Sequence, residues 1–303
     1  MSLFEKIAVC PAVPGKNERM TNLLRDEFAC FGCKENTDGM GNVFFSKDFG
    51  EGKHVMLCSS IDVGGVIATY IEGSKIYVGA LGKSDMMQIA FSKVVFEGAT
   101  GVLVAPDAYN SGTALTDCYV ETYDKNVSDK VQQGDKGYFD IPLNTLENGA
   151  YWGYGAGERY ALYTNVKATA KLFGEDGGDI LKKYGIGKVT AAFLSQGSLM
   201  SRGALTACYG KNPDKVILFS AKKSTDGVTP EDKYIIKLHD RAFSADGELT
   251  SEICAYLDEN GISYKKTVEG DGDTALASLS QAVSCPDCAS ICVPVFHNRV
   301  IVR

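Results

Sequence analysis

The chain has 303 residues, 45% of them hydrophobic and 23% charged, with a formal net charge of −7. This is a globular composition, long enough for a sizeable core and, by length, for about two domains. The acidic balance, without any basic block, argues against a dedicated nucleic-acid binder, and no apolar run reaches the roughly 18–20 residues of a membrane span.

Met1 to Gly15 carries neither a basic lead nor a long apolar stretch, so no secretory leader is read there. The expected compartment is the cytoplasm. Several of the ten cysteines fall inside apolar runs, Cys58 and Cys254 among them, and read as small core hydrophobes rather than disulfide partners.

Met20, Leu23, Leu24 and Phe28 repeat at helical spacing after Pro14-Gly15. Strand-like pieces follow, broken by glycine. Residues 53–60 read as a buried strand. Residues 63–71 read as another, whose Gly64-Gly65 pair marks a close backbone approach. Between about 71 and 150 come short β-branched stretches: 75–78, 93–96, 101–105 and 118–123. Turn residues such as Gly98, Pro106-Asp107 and Asn110-Ser111-Gly112 punctuate them, which predicts a small β-rich module. Residues 128–133 read as one helix within it.

Beyond about 155 the pattern alternates. Helices are predicted over 159–172, 203–209, 249–259 and 275–283. Strands are predicted over 188–194, 215–219, 233–238, 263–268 and 290–295. Such alternation predicts an α/β domain with a parallel or mixed sheet. The expected organisation is a discontinuous α/β domain, 1–70 plus 151–303, interrupted by a β-rich insert at 71–150.

Chemistry is sparse. His54, His239 and His297 each lack a second histidine or carboxylate at metal-binding spacing, and read as ordinary surface or end-of-strand residues. There is no P-loop, dinucleotide fingerprint or serine elbow. Gly153-Tyr154-Gly155-Ala156-Gly157 has the wrong spacing for a phosphate cradle, and Glu158 would repel phosphate; a close-packed loop before a helix is the plainer reading. Cys30-x-x-Cys33 and Cys285-x-x-Cys288, with Cys292 nearby, have zinc-compatible spacing. The pairs are far apart in sequence, and whether they hold a structural metal stays open at this point.

The order of several segments is similar to one family, the dinuclear metallo-aminopeptidases that include glutamyl aminopeptidase and the endoglucanase-labelled cellulase M proteins. Pro11 to Glu18 resembles the family's opening Gly-x-Glu segment. Asp38-Gly39-Met40-Gly41-Asn42 resembles its Asp-x-x-Gly-Asn turn. Residues 55–66 resemble its first metal-binding strand, 193–204 its Glu-Glu segment, 270–274 its Gly-Gly-Thr-Asp segment, and 291–294 the strand before its last histidine. The family also carries a β-rich insert.

What the resemblance implies for the site is a set of departures. The first ligand histidine falls at Ser60, two before the retained Asp62. The aspartate that bridges both metals falls at Gly157, with Arg159 fixing the frame. The glutamate that acts as base falls at Gly197 and its ligand neighbour at Ser198. A further aspartate falls near Ser220, and the last histidine falls loosely around Asn298 and Arg299, His297 fitting poorly. Glycine cannot ligate or take a proton, and serine is a poor neutral ligand for zinc. The expectation is therefore a catalytically inactive pseudoenzyme without the family's two zinc or cobalt ions, keeping a binding or assembly role. Without its neighbouring histidine, Asp62 reads as a strand-end carboxylate bonding backbone N–H groups.

The resemblance implies a homo-oligomer; an inactive copy could bind a peptide or join active paralogues. The composition points to neither nucleic acid nor membrane as a partner. The alternative is an active metallo-aminopeptidase drawing unusual ligands from Asp62, Glu158, His239, Asp240 and His297. A third reading is a hydrolase using Cys58 or Ser60 near Asp62, for which no histidine partner is evident.

Overall fold

The computed structural model describes residues 1–106, 112–147, 149–224, 227–240, 242–245, 247–269, 275–296 and 300–301. The chain begins with helices α1 (Leu3–Val9) and α2 (Glu18–Phe28), then strands β1 (Lys34–Thr37), β2 (Val43–Asp48) and β3 (Lys53–Ser60). Strands β4 (Gly65–Glu72) and β5 (Lys75–Leu81), helix α3 (Met86–Ile89), and strands β6 (Lys93–Phe96), β7 (Ala99–Val104), β8 (Tyr119–Glu121) and β9 (Lys136–Phe139) follow. Short strands β10 (Asn144–Thr145) and β11 (Tyr151–Trp152) lead into α4 (Ala156–Phe173) and α5 (Gly177–Lys183). The remainder runs β12 (Ile186–Leu194), α6 (Ala204–Ala207), β13 (Lys215–Lys223), β14 (Tyr234–Asp240), β15 (Phe243–Ser244), α7 (Glu248–Glu259), β16 (Tyr264–Glu269), α8 (Ala275–Ser280), β17 (Asp287–Val295) and β18 (Val300–Ile301).

Among the described residues, nine strands form one mixed sheet in the order β1-β2-β12-β3-β13-β17-β14-β15, with β16 beside β14. The central β12, β3, β13 and β17 are parallel. Residue alternation along each strand divides the core between the faces. Leu57 of β3 packs with Phe28, Phe45, Phe193 and the apolar stripe of α4 on one face. Its neighbours Met56 and Cys58 pack with Phe44, Leu218 and α8 on the other. Central strands buried on both faces read in the sequence as continuous apolar runs, as residues 55–58 do.

The insert is a closed barrel, β4-β5-β8-β7-β6-β9. Its core is small and β-branched, with Val66, Ile76, Val78, Val94, Leu103 and Val120 fully enclosed. Strand β4, which the sequence reading assigns to the α/β part, is a barrel strand pairing with β5 and β9. Gly65 sits where a Cβ would lie 2.6 Å from the Gly137 carbonyl, so the barrel closes only with a glycine there. The helix predicted at 128–133 is reduced to a 3₁₀ turn over Val127–Asp129, and that predicted at 203–209 to the single turn of α6. The segments 107–111 and 270–274, the latter carrying one of the family-like motifs, lie outside the described residues.

Candidate functional site

The C-terminal ends of β3, β12, β13 and β17, the start of α4 and the rim of the barrel enclose a cleft of about 610 Å³. Crevices at the carboxyl ends of parallel strands are where open α/β sheets bind ligands. Ser60, Asp62, Gly157, Gly197, Ser198 and Ser220 all line it. These positions are spread over much of the chain, and the fold gathers every one of them into this cleft.

Asp62 is fully buried, and its carboxylate accepts the backbone N–H groups of Gln196 (2.5 Å) and Gly197 (3.1 Å). Burial pushes its pKa up to about 6, against the opposing pull of those N–H groups and of Arg159. Arg159, also buried, donates to the carbonyls of Ile61 (3.2 Å), Cys10 (3.0 Å) and Ala12 (3.4 Å). It ties α4 to the segment leaving β3 and to the N-terminal loop. Ser60 Oγ donates to the Asp62 carbonyl at 2.9 Å.

The loop that Asp62 grips, between β12 and α6, is strained: Gln196, Met200 and Ser201 all have left-handed backbone, with φ of 57°, 54° and 53°. Strain of this kind persists only where the surroundings over-determine it. Asn42 supplies a second clamp. Its Oδ1 accepts the Ser195 N–H at 2.8 Å, and its Nδ2 donates to the Gly203 carbonyl at 2.8 Å and to Asp38 Oδ2 at 2.8 Å. The Gly41-Asn42 turn therefore brackets both ends of the loop.

Gly157 and Gly197 are close-packed. A Cβ on Gly157 would lie 2.5 Å from Val295 Cγ2 and 2.7 Å from Ala221 Cβ. A Cβ on Gly197 would run into Ser60 Oγ. A side chain at either position would require these neighbours to shift. Ser220 Oγ instead meets Cys292 Sγ at 3.2 Å.

Among the described residues, no three His, Cys, Asp or Glu side chains lie close enough to share a metal ion. Serine hydroxyls are weak zinc ligands, and Asp62 is engaged by backbone N–H groups. Of the alternative ligands, Glu158 lines the cleft. Asp240 accepts from Lys237 at 3.3 Å. His239 lies on β14. His297, Asn298 and Arg299 lie outside the described residues. His54, read as an ordinary surface or strand-end residue, is buried at the start of β3; its ring bonds Thr190 Oγ1 (2.9 Å) and the Lys211 carbonyl (3.1 Å). It is at the opposite end of β3 from Ser60, so it cannot activate Ser60. Cys58 is fully buried, which pushes its thiol well above the ordinary range and disfavours the thiolate that attack requires. Cys33 packs in the core under one sheet face and Cys288 under the other, so the two cysteine pairs do not converge.

Further residues reach the cleft from the approach to α4, from the barrel and from the sheet. Tyr154 Oη donates to the Gly64 carbonyl at 3.1 Å and bonds Ser84 Oγ at 3.2 Å, joining α4's approach to the barrel. Lys83, Lys222, Lys223 and Lys237 also line the cleft. Lys222 stands two residues beyond Ser220 on one strand, a period-two relation that the sequence does contain.

No protein-family model matches this sequence, and no curated protein matches it. Solved structures do. The TET aminopeptidase of the marine sediment archaeon Thaumarchaeota archaeon SCGC AB-539-E09 superposes with a TM-score of 0.84 at 15% identity, over 98% of this chain and 89% of the other. This chain has the TET aminopeptidase fold. Aminopeptidase APDkam598 from the archaeon Desulfurococcus kamchatkensis gives 0.85 at 18% identity, over 99% and 89%. The Pyrococcus horikoshii TET1 peptidase, described as assembling into a tetrahedron or a large octahedral shell, gives 0.82 at 17%, over 99% and 93%. The TET aminopeptidase fold thus accounts for both the mixed sheet and the inserted barrel. No helix among the described residues is long and apolar enough to cross a membrane.

Proposed function

We propose that this chain is a pseudoenzyme on the TET aminopeptidase fold: a protein whose cleft binds a ligand, a peptide being the simplest, without hydrolysing it. The observation that carries this reading is the packing at Gly157 and Gly197. Val295 and Ala221 occupy the space beside the first, and the Ser60 hydroxyl the space beside the second. A two-metal hydrolase needs carboxylates to neutralise two dications and an activated water held between them. Here glycines, serines and an engaged Asp62 surround the corresponding volume, so water keeps its ordinary high pKa of about 15.7.

The same reading includes self-association, supported by the shells described for the Pyrococcus horikoshii TET1 peptidase, with an active paralogue as a second route to assembly. All ten cysteines are free thiols, five of them fully or nearly buried within the cores of the α/β part, which supports a reducing, cytoplasmic setting.

The test is direct. Purified protein equilibrated with zinc or cobalt and desalted is analysed for metal, and assayed on aminoacyl-anilides in the presence of each ion. The expected result is no stoichiometric metal and no metal-dependent release of aniline. About two ions per chain with turnover would overturn the reading in favour of an active enzyme with unusual ligands.

A further inference from the structure

Between β12 and α6 the chain leaves the sheet and returns to nearly the same point. Asn42 joins the two ends, accepting the Ser195 N–H and donating to the Gly203 carbonyl. A Cβ on Gly203 would run into the Ser195 carbonyl, so the ends also touch directly. Asp62 holds the first of the intervening residues through the Gln196 and Gly197 N–H groups. The base of the loop is therefore tied to the α/β part from two directions. Compact loops whose ends meet are packed by their own residues. Here the Leu199 N–H donates to the Gln196 carbonyl at 3.1 Å and the Ser201 N–H to the Gly197 carbonyl at 3.0 Å.

The crown of the loop meets the barrel instead. The Lys83 N–H on the barrel rim donates to the Ser198 carbonyl at 3.3 Å, longer than the roughly 2.7–3.2 Å typical of such bonds. Beside it, Gly82 comes so near that a Cβ there would run into Ser198. Met200, on the crown, is 81% exposed. Left-handed backbone flanks the crown, at Gln196 on one side and at Met200 and Ser201 on the other. Residues with side chains disfavour that region, so a return to ordinary backbone releases strain. A long bond to the barrel and strain at both ends favour departure of the crown from the barrel. Gly197, Ser198, Met200 and Ser201 line the cleft together with Lys83, so such a departure moves one of its walls.

We propose that this loop is a hinged wall of the cleft. It turns on Gln196 and on Met200–Ser201, breaks the bond from Lys83 to Ser198, and parts the barrel rim from the sheet, which widens the entrance for a ligand. The Asn42 clamp stays closed and keeps the motion local. This assigns the regulation of access to the cleft, and rests on the reading of that cleft as a binding site.

Amide hydrogen exchange of the whole chain, resolved at single residues across low urea concentrations, tests the hinge. The Lys83 and Ser201 amides are expected to exchange through an opening that is nearly independent of urea, and the Ser195 amide only with the steep urea dependence of larger unfolding. Met200→Gly removes the left-handed strain and is expected to slow Lys83 and Ser201 exchange about threefold. Met200→Ala removes the same side chain but keeps the strain, and should leave the rates unchanged. Gly82→Ala pushes on Ser198 and should speed exchange; should it fail to fold, the two Met200 variants decide. Access is read with Ser220→Cys, a thiol on the cleft wall, labelled with a bulky maleimide and followed by peptide mass spectrometry. Adding Met200→Gly should slow that labelling by the same factor. Global urea dependence at Lys83 and Ser201, equal rates in Met200→Gly and Met200→Ala, or labelling indifferent to Met200→Gly would each overturn the hinge. Failure of the pseudoenzyme reading is seen separately, as metal-dependent anilide hydrolysis.

Discussion

The carboxylate of Asp62 accepts the Gln196 N–H at 2.5 Å, joining the end of β3 to the strained loop that follows β12. The bond is local in space and remote in sequence, and it puts a titratable group under a cleft wall.

Because burial raises the Asp62 pKa to about 6 from 3.8, the folded chain holds this proton more tightly than the unfolded chain. Its contribution to stability is greatest below the unfolded pKa and is lost as pH rises through the folded one. The loss amounts to about 3 kcal/mol. Urea unfolding between about pH 3.8 and 6 should show this downward slope, and Asp62→Asn should flatten it. Asp62→Ala leaves the Gln196 and Gly197 N–H groups without an acceptor and is expected to destabilise by about 2–4 kcal/mol at neutral pH. A slope unchanged in Asp62→Asn would assign the titration to another group.

His54 works in the opposite sense. Burial, with Lys188 nearby, lowers its pKa from 6.5. Its contribution is present above the unfolded pKa and is lost as pH falls through the folded one. His54→Gln should lessen the acid-side loss of stability that starts below about pH 6.5, read by thermal melts across that range.

Gly157→Asp tests the packed glycine. Its Cβ would press on Val295 and Ala221, so about 1–3 kcal/mol of destabilisation is expected from overpacking. Adding Val295→Ala should recover part of it. A double-mutant cycle with no coupling between the two sites would mean that Val295 is not what excludes a side chain at 157.

Asn42→Ala removes the acceptor for Ser195 N–H and the donor to Gly203. The expected cost is about 2–4 kcal/mol, since buried polar groups lose their partners. Amide exchange should accelerate over 195–203 more than in the barrel strands; uniform acceleration would make Asn42 a general core residue rather than a loop clamp.

Thiol titration with an aromatic disulfide offers a quick check of the fold. Cys30 and Cys285 are exposed and should react first, whereas Cys58, Cys118, Cys208, Cys254, Cys288 and Cys292 should wait for denaturant.

Much of the architecture was legible from local pattern. The runs at 55–58 and 191–194 are continuous apolar strands because both faces are covered. Strand β4 was misassigned because residues 65–72 are as apolar as a central strand, and only pairing with β5 and β9 places them in the barrel. The helix expected at 203–209 shrinks to one turn, since Gly203 packs against the Ser195 backbone and Asn42 and the loop before it is left-handed. At the site, Ser60, Asp62, Gly157, Gly197, Ser198 and Ser220 were found through resemblance to a family. Lys222 and Lys237 were missed because they belong to different strands, with β17 between them in the sheet.

Residue order alone settled what is short-range: where apolar stretches must be buried and where turns break them. Folding decided what is long-range. It brought six scattered positions to one crevice, bent Asp62 onto a distant loop, and filled the space beside Gly157 with Val295. Periodicity reports which face a side chain takes along its own strand, but the neighbour across the sheet is chosen by the packing of the whole core.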